Sequence, residues 1–533
     1  MKVNSTKHSL IDSLRQLTRE KWALAATIFT GKMLGLLAVL VAMVTLPGLL
    51  GTSAHAAAAA PPKPTDLETS MMNSINTAWT LVAAFLVFGM QAGFVMLEAG
   101  FARKRETVNV LMECMFDTCL CGILFYAIGY SFMFSEGNGF IGYHWFFLQG
   151  APATYETTGI PVIAHWIFQY AFADTCSTVV SGAMIGRTSF RGDILYSIGI
   201  TGFIYPIIGH WAWGPDGWLA LMGTAGHFYT ALGQGFRDFA GSTVVHTIGG
   251  VASLAGAIVL GPRLGRIFAR DDKEKGGMPA GHNMLMAAVG TFILWFGWYG
   301  FNPGSSLSAM DAQGIGRIAT NTTLAACGGG MTAMCAALWW GTTKGKFDLG
   351  FTLNGTLAGL VAITCPCYWV SPLGAMILGG VAGFVVFGGM YLLEYFRIDD
   401  PVGAVSVHGF AGIWGTLSLG LFATGEYGIT GPTGPDNSAA NLVKGIFYGG
   451  DASVLKAQAI GTFTIAIAVF VVTFVMMFII NKLPYPWKLR VEEHGELGIG
   501  GLDVFDHGIE VYPAQDDDIT LTGLFEKSGT VSV

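Results

Sequence analysis

The chain has 533 residues, of which 52% are hydrophobic and only 12% charged, with 75 glycines. Soluble globular domains carry about twice that charged fraction, so a water-soluble enzyme built on one core is excluded. The formal net charge of −7 reflects a strongly acidic C-terminal tail, and no Lys/Arg cluster with interleaved aromatics points to nucleic acid.

Residues 1–32 are basic, an apolar run follows from Met33 to Leu50, and Ala54-His55-Ala56 forms an A-x-A pattern. This is the layout of a secretory signal peptide, expected over residues 1–56, with an uncleaved extra helix as the alternative. Residues 57–75 read as an extracytoplasmic linker, 76–482 as a transmembrane domain, and 483–533 as a cytoplasmic tail. Each bilayer crossing needs about 20 predominantly apolar residues. The transmembrane region supplies eleven such stretches: near 76–100, 108–134, 160–186, 193–213, 241–262, 282–302, 316–341, 349–365, 370–395, 401–424 and 455–482. Small residues are favoured where helices pack in lipid, which accounts for the glycine content. The fold class is therefore an all-α polytopic membrane protein.

Loop charge gives the orientation. One set of loops holds sixteen Lys/Arg, among them Arg103, Arg187, Arg263 and Arg490; the opposite set holds four, Arg237, Arg317, Lys444 and Lys456. The first set is cytoplasmic, so the mature N-terminus lies outside and the tail inside. The eight cysteines lack the spacing of a zinc or thioredoxin motif and read as packing residues. No metal or cofactor is expected.

Two stretches repeat one pattern. Asp238-Phe-Ala-Gly241-Ser-Thr-Val-Val245-His246, with Gly250 beyond, matches Asp400-Pro-Val-Gly403-Ala-Val-Ser-Val407-His408, with Gly412 beyond. They open the fifth and tenth spans, an odd number of crossings apart, so the two helices run in opposite directions. This is an inverted 5+5 repeat, and such folds place their sites near the bilayer midplane. A rise of 1.5 Å per residue carries each histidine roughly 12 Å from its aspartate, so both reach the middle of the membrane from opposite sides. Each Asp suits a helix N-cap. Ionisable residues inside the bilayer are costly and point to function, so the pair His246/His408 is read as functional. His165 and His210, nearer span ends, are read as packing residues.

In the sixth span Trp298, Phe301 and Ser305 share one stripe, and Pro303-Gly304 ends the helix at the outer mouth. The third span places Phe168, Phe172 and Val179 on one face, and the fourth ends outside at Trp213. Phe172, Trp213 and Ser305 can therefore meet at the outer mouth. Two aromatic faces and a hydroxyl suit a small cation, although aromatics also belong at membrane interfaces.

These residues resemble the Amt/MEP/Rh ammonium transporter family, specifically bacterial Amt proteins. The resemblance runs from about Asn76 to Tyr512. It rests on Met96-Leu-Glu-Ala-Gly100 with Arg103 and Asn109, on Phe168-Gln169 with Phe172, and on the two Asp…His runs. Gly297-Trp-Tyr-Gly-Phe-Asn-Pro-Gly-Ser305 and Gly501-Leu-Asp503 with His507-Gly508 complete it. It implies the ammonium transporter fold and a homotrimer with one pore per protomer in the bacterial cytoplasmic membrane. It further implies an outer ammonium site of Phe172, Trp213 and Ser305, and a gate of Phe172 over Phe301. The hydrophobic pore would be lined by His246 and His408 with Trp298 and Val179, and Asp238 would support cation recruitment. The tail would be regulatory, contacting neighbouring protomers, with a PII-type signalling protein as a partner inside. Departures are Glu113 in the second span and Asp174 in the third, both candidate helix–helix hydrogen-bond partners. Two rival readings remain open: an ammonium sensor with little flux, and a membrane redox protein using the histidines as haem ligands.

Overall fold

The structure is a computed structural model, and it describes residues 65–224, 232, 234–341, 345–439 and 441–512. The expected signal peptide, residues 1–56, lies outside the described residues, as does the tail beyond Tyr512. Helices occupy every expected span. They are α1 (Asp66–Phe101), α2 (Lys104–Phe134), α3 (Val162–Gly182), α4 (Phe190–Trp213), α5 (Ser242–Leu260), α6 (Met284–Phe301), α7 (Ala312–Trp340), α8 (Leu349–Ile363), α9 (Pro372–Phe396), α10 (Val405–Phe422) and α11 (Ser453–Ile480). Two short tail helices follow, α12 (Glu493–Leu497) and α13 (Gly501–His507). Eight helices among the described residues are long and apolar enough to cross a membrane. The three that fall short are α3, α7 and α8. Helix α8 is apolar but has only 15 residues, whereas α3 holds its polar residues against protein: 17 of its 21 residues are buried, and lipid tolerates polar groups only where protein or water surrounds them.

The first helix starts earlier than the expected span. Residues 66–75, expected as linker, continue α1 as helix, and Asp66 and Glu68 sit in its first turn, where they favour the positive end of the dipole.

Glycines set how closely the helices approach. A Cβ on Gly290 of α6 would lie 2.4 Å from the Leu97 nitrogen of α1, and one on Gly93 of α1 would lie 2.9 Å from the Leu294 nitrogen of α6. The same holds for α7 against α8, where a Cβ on Gly329 would meet the Gly355 carbonyl at 2.2 Å. Such backbone contact is the packing available where lipid gives no hydrophobic driving force.

The two repeated segments adopt one local design. The first turns of α5 and α10, Ser242–Thr247 and Val405–Phe410, are π-helical, and each contains the histidine. π-turns interrupt α-helices mostly at functional sites. The helices cross at their glycines: Gly250 lies against the Gly409 backbone, and Gly412 against the Ser242 carbonyl and Thr247. Neighbours on α10 rise in number as those on α5 fall, so the helices are antiparallel, as the inverted repeat requires.

The tail docks on its own chain. Asp503 accepts from the Asn109 backbone N–H (2.9 Å), His507 Nε2 contacts Asn109 Oδ1 (2.9 Å), and Asp506 accepts from the Phe190 N–H (3.2 Å). Beside it Arg263 forks onto Asp399 (Nε to Oδ2 2.8 Å, Nη2 to Oδ1 3.0 Å), and the wholly buried Arg187 donates to the Asp399 carbonyl (2.6 Å).

Candidate functional site

The site begins with two caps. Asp238 precedes α5; its Oδ1 accepts from the Gly241 N–H (3.0 Å) and its Oδ2 from those of Thr243 and Val244 (2.9 Å each). Gly241 has φ 113°, a left-handed conformation that glycine takes without a Cβ penalty. The carboxylate is thus committed to the helix start. Burial pushes the Asp238 carboxyl up to about 6, with the backbone amides opposing the rise. Its main-chain carbonyl has a second task, accepting the Trp213 indole N–H at 2.8 Å. Asp238 therefore ties the pore helix to an aromatic wall of the outer cavity.

That cavity has a volume of ≈ 400 Å³ and is lined by Phe168, Gln169, Phe172, Trp213 and Ser305 among others. The structure brings the three expected residues together. Phe172 meets Trp213 edge-on at 6.2 Å between ring centres. The Ser305 hydroxyl donates to the Phe301 carbonyl (2.8 Å), which leaves its oxygen lone pairs to accept from a cation. At the cavity floor Phe172 stacks on Phe301 with ring centres 4.1 Å apart, and both rings are almost wholly buried.

Beneath these rings lies the histidine pair. His246 Nδ1 and His408 Nδ1 are 3.1 Å apart. His246 is stacked against Trp298 (5.2 Å) and Phe301 (5.3 Å), and its Nε2 has no hydrogen-bond partner. Trp298 is fixed by its indole N–H donating to Thr364 Oγ1 (2.9 Å). Below His408 a cavity of ≈ 10 Å³ is bounded by Val179, Leu357, Val407 and Glu98. A larger one of ≈ 290 Å³ at the opposite end carries Asp348, Asn354, Asp399 and Asp400. Asp400 caps α10 as Asp238 caps α5, and burial likewise pushes its carboxyl up to about 6.

The geometry does not suit a haem between the histidines. Metal–imidazole bonds are about 2 Å long, so two axial ligands stand about 4 Å apart with a ring between them, whereas these nitrogens touch at 3.1 Å.

Three side chains were missed or placed differently by sequence reasoning. His165 is a satisfied buried residue, hydrogen-bonded to Tyr130 (2.9 Å) and stacked on Tyr155 (3.9 Å), yet it also lines the outer cavity. Gln169 joins it there with an unpartnered Oε1; its spacing of four from His165 was the available signal. Glu113 pairs within its own helix, with Asn109 (2.8 Å), and not across helices, because residues four apart share a face. His210 is satisfied by the Met133 and Asn138 carbonyls (2.9 Å each).

A helical bundle with membrane-spanning elements, a cation-compatible cavity and a buried antiparallel crossing beneath it defines a polytopic membrane transporter, not an enzyme. The chain belongs to the Ammonium Transporter Family, matching it over residues 78–512. It is 42% identical over 444 residues to the ammonium transporter Amt2 of Archaeoglobus fulgidus, covering 82% of this chain and 88% of that one. It is 37% identical to ammonium transporter 1 member 1 of Arabidopsis thaliana, covering 79% and 82% respectively. Among solved structures it is similar to a "Sensor Amt Protein" (TM-score 0.70, 32% identity, 82% of this chain and 99% of that chain). It is also similar to Candida albicans Mep2 (TM-score 0.69, 26% identity, 82% and 93%).

Proposed function

We propose that this chain moves ammonium or ammonia across the bacterial cytoplasmic membrane, through eleven crossings, with the N-terminus outside and the tail in the cytoplasm. The observation that carries this is the contact of His246 with His408 at 3.1 Å, directly under the stacked Phe172 and Phe301 that floor the outer cavity. In this reading ammonium sits between Phe172 and Trp213. Their ring faces attract the charge and the Ser305 oxygen accepts one N–H. Asp238 holds Trp213 in place through its carbonyl. Phe172 and Phe301 act as the gate. A bare cation would face a large desolvation cost in the apolar pore beyond, so a proton is lost before or during passage. Ammonia then crosses beside Trp298, His246, His408 and Val179. Two neutral imidazoles in contact share and relay a proton, since each offers a donor and an acceptor.

Uptake and ammonium-dependent current in proteoliposomes test this. His246→Ala and His408→Ala are each expected to impair transport sharply or change its ion selectivity; wild-type uptake and selectivity in both would sink the relay.

The rest of the organisation follows from the same reading. Residues 1–56 are a cleaved leader, 76–482 the transporter domain and 483–533 a regulatory tail. The chain assembles as a homotrimer, with a PII-type signalling protein acting on the cytoplasmic side. A second reading, a sensor with little flux, draws support from the likeness to the solved sensor protein. Uptake far below that of a transporting relative, with intact ammonium binding, would favour it.

A further inference from the structure

The outer cavity holds a charge that the aromatic site does not use. Among the described residues lining it, Glu156 is the only Asp, Glu, Lys or Arg. The Asp238 carboxylate is committed to the start of α5, and Asp238 is not among the lining residues. None of the ion pairs among the described residues includes Glu156. It lies on the turn before α3 with φ 42°, in the left-handed region that residues other than glycine seldom occupy. The turn is fastened around it. The Tyr155 ring stacks on His165 of α3 with centres 3.9 Å apart, and the Tyr155 N–H donates to the Ile160 carbonyl (2.9 Å). The Thr158 hydroxyl donates to the Tyr155 carbonyl (2.6 Å). Strain of this kind persists only where the surrounding structure over-determines it, and it collects at ligand clamps.

Gln169 supplies an independent acceptor. It is 7% exposed, and its Oε1 has no hydrogen-bond partner, a costly state for a buried carbonyl unless a donor arrives. Its Nε2 lies 3.3 Å from His165 Nε2. An amide nitrogen only donates, so this contact fixes which end of the amide is left free. Gln169 lines the same cavity and precedes Phe172 by three residues, about 4.5 Å back along α3 at 1.5 Å per residue. The lining thus descends from Glu156 through Gln169 to Phe172, which floors the cavity on Phe301. An ammonium ion carries four N–H donors, and the Ser305 oxygen accepts one. Gln169 Oε1 offers a second acceptor, and the rings attract a cation only within about 6 Å.

We propose that Glu156 and Gln169 form an entry station for ammonium above the aromatic site. The Glu156 carboxylate draws the hydrated cation into the mouth, and Gln169 Oε1 replaces one of its waters on the way to Phe172 and Trp213. This rests on the transport reading above and adds two residues to the same site. A single acid in a largely apolar cleft focuses its field and raises the local concentration of cations. That attraction is long-range and screened by salt, whereas the Gln169 hydrogen bond acts at contact and is screened far less.

The test measures initial ammonium uptake into right-side-out vesicles carrying the full chain, at ionic strengths of about 0.01 M and about 0.5 M, where charges are screened over about 30 Å and about 4 Å. Glu156→Gln is expected to raise KM about fivefold or more at the low ionic strength and to stay within about twofold of wild type at the high one, with the maximal rate unchanged. Glu156→Asp keeps the charge and is expected to restore KM to within about twofold at both. Gln169→Leu is expected to raise KM about threefold or more at both. Should Glu156→Gln fail to reach the membrane, Glu156→Ser carries the same comparison. A Glu156→Gln KM within about twofold of wild type at low ionic strength overturns the proposal. A rise of equal size at both ionic strengths also overturns it, since a merely structural role does not respond to salt. An unchanged KM in Gln169→Leu overturns the part given to Gln169. Wild type that takes up no ammonium at all overturns the transport reading itself, and this proposal with it.

Discussion

Asp238 and Asp400 are paired by structure as well as by sequence: each carboxylate accepts three backbone N–H groups at the start of a π-turn that carries a histidine. The two caps aim opposite helices at one crossing, where Gly250 and Gly409 bring the backbones together. The shared role explains why the pattern repeats. The difference lies in what else each residue holds, since the Asp238 carbonyl also fixes Trp213.

That difference separates two substitutions. Asp238→Ala and Asp400→Ala should each cost about 1–2 kcal/mol from the lost cap, read as lowered thermal stability in detergent. Asp238→Ala alone should also raise the ammonium KM, because α5 shifts under the Trp213 partner. Equal effects on KM would contradict the second task assigned to Asp238.

Ser305 supplies the hydroxyl of the expected cation site. Replacing it with alanine removes one acceptor worth about 0.5–1.5 kcal/mol. Ser305→Ala is therefore expected to raise KM roughly three- to tenfold with little change in maximal rate. A change confined to the maximal rate would place Ser305 elsewhere in the cycle.

The crossing should not tolerate a methyl group. A Cβ on Gly250 would stand 2.1 Å from the Gly409 nitrogen, while one on Gly388 would meet nothing within 4 Å. Gly250→Ala should abolish folding or transport, and Gly388→Ala should leave both unchanged. Functional Gly250→Ala would mean that the helices separate more easily than this packing implies.

The ion pair beneath the pore sets an acid limit. Asp399 is held well below the ordinary carboxylate range: burial opposes ionisation, but the Arg263 fork and nearby Arg187 outweigh it. A depressed folded pKa gives stability that is fully present above the unfolded value, about 3.9, and is lost as pH falls through the folded one. Thermal stability should therefore drop below about pH 4 by this route. Asp399→Asn, which leaves Arg263 unpaired, should cost about 3–5 kcal/mol at neutral pH and flatten that acid limb. Unfolding temperatures measured across pH check both.

The sequence by itself determined the class, the span positions and the inverted repeat, and it pointed to Phe172, Trp213 and Ser305, which line one outer cavity. Those features depend on apolar length, loop charge and spacing along one helix, which a linear pattern records. Helix α3 was counted among the apolar stretches, although it is too polar to meet the length-and-hydropathy criterion. Tertiary structure alone decided which distant groups meet. The His246–His408 contact needed the π-turns and the glycine crossing, and neither has a distinct periodicity. The double task of Asp238 depends on a carbonyl, which no residue type announces. Glu98 looked like part of a family motif, and only the packing of α1 against α3 and α10 placed its carboxyl beneath His408. Burial and contact across elements are properties of the folded chain, so the cost of each buried charge, and the partner that offsets it, could be read only there.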